Sequence, residues 1–128
     1  SLCAASLLPE EGELDVMQMR RVWRPPTDVY ETESEIVVKV EIAGMREQDF
    51  EISFVDRRLV IQGHRQDPEG KIIYQNMEIR YGDFNTAIQL NLPLDAGAIE
   101  ATYREGFLFV HLPKAQEHRV RVSSAGSG

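Results

Sequence analysis

Residues 99–114 read IEATYREGFLFVHLPK. Side chains alternate between the two faces of an extended strand, so residues two apart share a face. On that period Ile99, Ala101 and Tyr103 line up together. Beyond a turn at Gly106, Leu108, Val110 and Leu112 do the same, with Phe107, Phe109 and His111 on the opposite face. Two short runs of period two, parted by a glycine, predict strands rather than helix. One face of the second run belongs to a core, and Phe107 and Phe109 point away from it.

The same period recurs upstream. EIVVKVEIAG sets Ile36, Val38, Val40 and Ile42 on one face against Val37, Lys39 and Glu41. DFEISFV aligns Phe50, Ile52 and Phe54 against Glu51 and Ser53, and RLVIQGH aligns Leu59 with Ile61. TDVYET is entered through Pro25 and Pro26, KIIYQN follows the breaker DPEG, and FNTAIQLNLP precedes IEATYR. Short strands at this spacing, divided by Gly, Pro and Asp turns, predict an all-β sandwich. Only GELDVMQMRRV, near the N-terminus, carries a helical pattern. The predicted organisation is an N-terminal arm over 1–23, a β domain over 24–113 and a polar C-terminal extension over 114–128.

Composition narrows the function. A chain of 128 residues is one domain's worth, and a domain of that size buries about two-thirds of its unfolded surface. With 42% hydrophobic and 27% charged residues it reads as an ordinary globular protein. No apolar run approaches the roughly 18 residues of a membrane span. The opening SLCAASLLPEEGELD lacks the basic start and long apolar centre of a secretory signal. The lone Cys3 cannot form an internal disulfide and fits a reducing compartment, so a cytoplasmic location is expected. A net charge of −7 argues against nucleic acid as a partner. The charge is uneven: residues 114–128 carry three basic groups and one acidic, net +2, which leaves −9 on residues 1–113. Tail and body attract.

The chain shows no pattern for catalysis. His64, His111 and His118 lie on separate segments without metal-ligand spacing. Ser34 and Ser53 lack a nucleophile elbow, and no glycine-rich phosphate cradle occurs. No catalytic, cofactor or metal residues are expected, and the chain is not expected to be an enzyme. Its apolar surplus points to binding instead, because exposed apolar clusters mark interaction surfaces. Phe107 and Phe109 face outward, and Ile72, Ile73 and Tyr74 sit in an apparent loop. The arm adds Leu7, Leu8, Leu14, Val16, Met17 and Met19, and the tail ends in Val120 and Val122.

An ordered set of motifs resembles the small heat shock proteins with their α-crystallin domain, in the non-animal form of the family. The set is WRPPTDVYET, VKVEIAGMREQDFEISFVDRRLVIQGHR, YGDF, AIEATYREGFLFVHLPK and Val120-Arg121-Val122, and it covers about residues 23 to 122. The most specific part is Ala101-x-x-x-x-Gly106-Phe107-Leu108, running into Leu112-Pro113-Lys114. The resemblance implies an immunoglobulin-like β-sandwich. It also implies an ATP-independent holdase that captures non-native client proteins before they aggregate, built of dimers joined into higher homo-oligomers.

The resemblance further implies a dimer made by swapping the strand around Ile72, Ile73 and Tyr74 into a neighbour's sheet. A tail of the form Val120-x-Val122 would dock in a groove of another subunit, between edges bearing Phe50, Ile52 and Phe54 and bearing Ile99, Ala101 and Tyr103. The apolar arm would bind clients. Two arginines usual in the family, which often join ion pairs at the dimer interface, are Ile79 and Thr86 here. The competing assignment is a CS-domain-like co-chaperone, against which KIIYQN and the V-x-V tail both weigh, or another non-catalytic protein-interaction module.

Overall fold

The computed structural model describes residues 22–68, 78–116 and 120–125, together with the backbone of Ala5–Leu7. Eight strands are placed: β1 (Ala5–Leu7), β2 (Thr27–Glu31), β3 (Glu35–Glu41), β4 (Phe50–Val55), β5 (Arg58–Arg65), β6 (Gly82–Leu90), β7 (Glu100–Arg104) and β8 (Phe107–Pro113). Two single-turn 3-10 segments, Glu47–Asp49 and Ala96–Ala98, precede β4 and β7. The strands form two antiparallel four-stranded sheets, ordered β1-β6-β5-β4 and β2-β3-β8-β7. The chain is an all-β sandwich.

Alternation decides what lies between the sheets. Ile36, Val38, Val40 and Ile42 from one sheet meet Leu59, Ile61, Phe84 and Ile88 from the other, all essentially inaccessible to solvent. Leu108, Val110 and Leu112 complete the filling from β8, whose buried and half-buried residues strictly alternate. Burial of side chains of this size is worth about 1.5–3 kcal/mol each as an upper figure, which makes this layer the main source of stability.

The turns follow from backbone preference. Val55 pairs with Arg58, and Arg104 with Phe107, leaving two-residue hairpin turns at Asp56-Arg57 and Glu105-Gly106. All four turn residues have positive φ, from 50° to 80°, the left-handed geometry that suits the twist of a tight hairpin. Gly106 fills its position without strain, and a Cβ there would also crowd Ala43 at 3.2 Å.

Three features depart from a simple reading of faces. Val37 lies on the outer side of β3 yet is buried, because its cross-strand neighbours are Tyr30 and His111. Thr86 lies fully inside, with its hydroxyl 3.3 Å from the Thr27 hydroxyl, whose own hydrogen goes to the Pro25 carbonyl at 2.8 Å. Trp23 bridges to β6 in parallel: its N–H donates to the Asp83 carbonyl, and the Asn85 N–H donates back to its own carbonyl. The helical pattern of GELDVMQMRRV and the strand expected at KIIYQN fall outside the described residues. No helix among the described residues is long and apolar enough to cross a membrane.

Candidate functional site

Sheet order determines which residues border open space. β4 ends one sheet and β7 ends the other, so each has a side with no strand beside it. An exposed edge normally invites pairing by another chain, and proteins blunt it or use it. Here the two edges run close together. The Phe50 and Tyr103 rings lie 5.1 Å apart at a 55° tilt, and Phe50 also meets Phe84 edge-on at 6.1 Å.

Between the edges lies a groove of about 520 Å³. Phe50, Ile52, Ala101, Tyr103 and the buried Leu108 form its apolar part. Phe54 and Ile99 are also half-buried against the core, but they lie farther along the two strands and do not line this opening. The structure thus brings together four of the six groove residues expected from sequence. The phenol of Tyr103 fixes the floor by donating to the Ile42 carbonyl at 2.7 Å and accepting from the Met45 N–H at 3.2 Å.

Glu47, Thr102 and Arg104 also line the groove, and sequence reasoning did not single them out. Thr102 and Arg104 alternate to the outer face of β7, where the Arg104 guanidinium sits 4.6 Å over the Phe109 ring. Glu47 belongs to the 3-10 turn whose end is tied by Asp49. The Asp49 carboxylate accepts from the Arg46 backbone N–H at 2.9 Å and meets the Arg46 guanidinium at 3.4 Å. The backbone donor first, and the guanidinium second, hold its carboxyl below the ordinary value of 3.8.

The remaining candidates are dispersed. Val120 and Val122 are 80% and 91% exposed, far from satisfied within their own chain. Leu7 belongs to β1, whose register with β6 sets it opposite Ile88. Ile72, Ile73, Tyr74, Leu8, Leu14, Val16, Met17 and Met19 lie outside the described residues. Phe107 and Phe109 are half-buried, with the Lys39 ammonium over them at 4.6 and 5.8 Å. His64 pairs with Asp83 at 2.8 Å and His111 with Glu35 at 3.1 Å, on opposite sheets. Among the described residues no group of three or more His, Cys, Asp or Glu side chains could hold a metal ion.

A two-sheet sandwich with an apolar slot between its edge strands is the architecture of an α-crystallin domain, and comparison with known proteins gives the same answer. The chain belongs to the Hsp20/alpha crystallin family, whose profile matches residues 28–123. It is 30% identical over 99 residues to small heat shock protein C2 of Rickettsia felis, an alignment covering 76% of this chain and 64% of that protein. The chain therefore spans less than two-thirds of that relative's length. It is 29% identical over 107 residues to heat shock protein 16 of Schizosaccharomyces pombe, covering 79% and 73%. Among solved structures, heat shock protein 16.0 from Schizosaccharomyces pombe superposes with a TM-score of 0.67 at 27% identity, covering 83% of this chain and 80% of that one. The hspA of Xanthomonas axonopodis superposes at 0.68 and 27% identity, covering 73% and 96%.

Proposed function

We propose that this small heat shock protein is an ATP-independent holdase of the cytoplasm, which binds unfolding proteins and keeps them from aggregating. It works by binding, not by catalysis. The observation that carries this reading is a combination within one chain: an apolar groove of about 520 Å³ between two sheet edges, and two valines of the C-terminal extension left 80% and 91% exposed. Val120 and Val122 of one subunit dock in the groove of another, and residues 72–74 make the dimer by strand exchange. The arm residues Leu7, Leu8, Leu14, Val16, Met17 and Met19, with the groove, hold clients. In this reading residues 24–113 are the folded domain, flanked by the arm and the extension.

Magnitudes explain why such a device releases as well as binds. Burying two valines is worth about 3–6 kcal/mol as an upper figure. Fixing four tail residues costs about 4–8 kcal/mol of backbone entropy. These nearly cancel, so backbone hydrogen bonds and the attraction of a basic tail for an acidic body decide the outcome. Many weak dockings in one assembly gain by effective concentration, and each groove opens while the assembly persists.

Two measurements test the reading. Replacing Val120 and Val122 by Ala shrinks the particle toward dimers in light scattering, and an unchanged mass removes the tail from the assembly. The parent protein suppresses heat aggregation of an unrelated enzyme without ATP. Absence of suppression at equimolar subunits sinks the holdase function.

A further inference from the structure

We infer that Arg65 is a latch: it fastens the two feet of the connection from β5 to β6, residues 66–81, to each other and to Trp23, and so sets how readily the segment carrying residues 72–74 is given up to a neighbour. The inference rests on the strand exchange proposed above and adds the residue that governs it.

Arg65 is the last residue of β5, and its register partner is Gly82, the first of β6. Its guanidinium folds back over the feet. Nε donates to the Arg80 carbonyl at 2.9 Å, Nη2 donates to the same oxygen, and Nη1 donates to the Ala43 carbonyl at 3.3 Å. The guanidinium also lies over two rings, 4.7 Å from Trp23 and 5.3 Å from Tyr81. Trp23 is a fixed plate: it is buried, and backbone bonds to Asp83 and from Asn85 hold it against β6 at 3.1 and 2.9 Å. A planar fork that donates along its edges while stacking on its faces is something an ammonium cannot reproduce.

The feet themselves meet across open space. Gln66 and Pro68 on one side and Ile79 and Tyr81 on the other line a single cavity of about 510 Å³, and Ile79 is 64% exposed. Apolar burial therefore contributes little to closing them. Polar ties must do it, and Arg65 supplies three from an ionised donor, the stronger class of hydrogen bond. Releasing the latch breaks those bonds and uncovers two ring faces, but it leaves the layer of Val38, Val40, Leu59 and Ile61 untouched. Local opening of this kind costs less than global unfolding, as a segment that changes partners requires.

The test uses the full chain with Arg65→Lys, which keeps the charge and loses the fork, and with Tyr81→Leu, which keeps the three bonds and loses one ring. Amide hydrogen exchange across residues 79–82 is roughly 10-fold faster in the first and roughly 3-fold faster in the second. Emission from Trp23, the only tryptophan, changes in both, while the thermal midpoint stays near the parent's. Subunits labelled at the single Cys3 with donor or acceptor dyes trade partners faster in the same order. Hydrogen exchange at the parent rate in both variants overturns the latch. Faster hydrogen exchange without faster trading of subunits overturns its control of strand exchange, and the inference with it. The underlying reading is judged separately: a dimer that persists in Ile73→Asp/Tyr74→Asp with Arg65 intact removes strand exchange itself, and the latch then has nothing to govern.

Discussion

Tyr103, on the edge strand β7, donates its phenolic hydrogen to the Ile42 carbonyl at 2.7 Å and takes the Met45 N–H at 3.2 Å. One side chain thereby ties the groove floor to the loop that carries the chain from β3 toward β4, while its ring packs on Phe50. Tyr103→Phe keeps the ring and removes both bonds, leaving two backbone groups to find water. The expected loss is about 1–2 kcal/mol in urea unfolding, with faster amide exchange at Met45. Unchanged exchange there would show that the loop is held by packing alone.

Gly63 stands opposite Phe50 in the β4–β5 register. A Cβ at this position would overlap the Asp49 carbonyl oxygen and come within 2.8 Å of the Phe84 ring. Neither can retreat: the carbonyl is backbone, and Phe84 is wedged between Trp23 and Phe50. Gly63→Ala is expected to cost about 1–3 kcal/mol, the usual range for overpacking. Its signature is a lowered thermal midpoint together with altered near-ultraviolet circular dichroism from the displaced aromatic rings.

Period-two alternation made β3, β4, β5 and β8 legible in the sequence, because each has one face on the core and needs no partner to be recognised. The same local rule misjudged Val37, whose burial comes from Tyr30 and His111 on neighbouring strands. The groove was legible only through the family resemblance, whose Phe50, Ile52, Ala101 and Tyr103 border the opening. Glu47, Thr102 and Arg104 were not, since alternation assigns the last two to the outside and nothing local marks a strand as the edge of its sheet. That property belongs to the pairing order. The stacking of Arg65 between Trp23 and Tyr81, at 4.7 and 5.3 Å, was equally invisible, because it joins residues far apart in the chain.

Arg57 occupies the second position of the β4–β5 turn with φ of 64°. A residue with a Cβ pays about 1–2 kcal/mol in this conformation, whereas glycine adopts it freely at some cost in unfolded-chain entropy. Arg57→Gly is therefore expected to stabilise the domain by about 0.5 kcal/mol. The backbone bond from the Leu90 N–H to the residue 57 carbonyl, 2.7 Å long, does not depend on the side chain and is retained. The check is a thermal midpoint raised by roughly 2 °C. A fall would mean that the Arg57 side chain makes a contribution larger than the strain it carries.

Asp49 gives the pH dependence. Its carboxyl is held below 3.8 in the folded chain, chiefly by the Arg46 N–H and then by the Arg46 guanidinium. A carboxyl with a depressed folded value stabilises the fold when ionised, so its contribution is complete above the unfolded value and disappears as pH falls through the folded one. Asp49→Asn removes the ionisable group. The gap in thermal midpoint between parent and variant is expected to be constant at neutral pH and to close only below 3.8. A midpoint gap that closes well above 3.8 would assign the effect to another group.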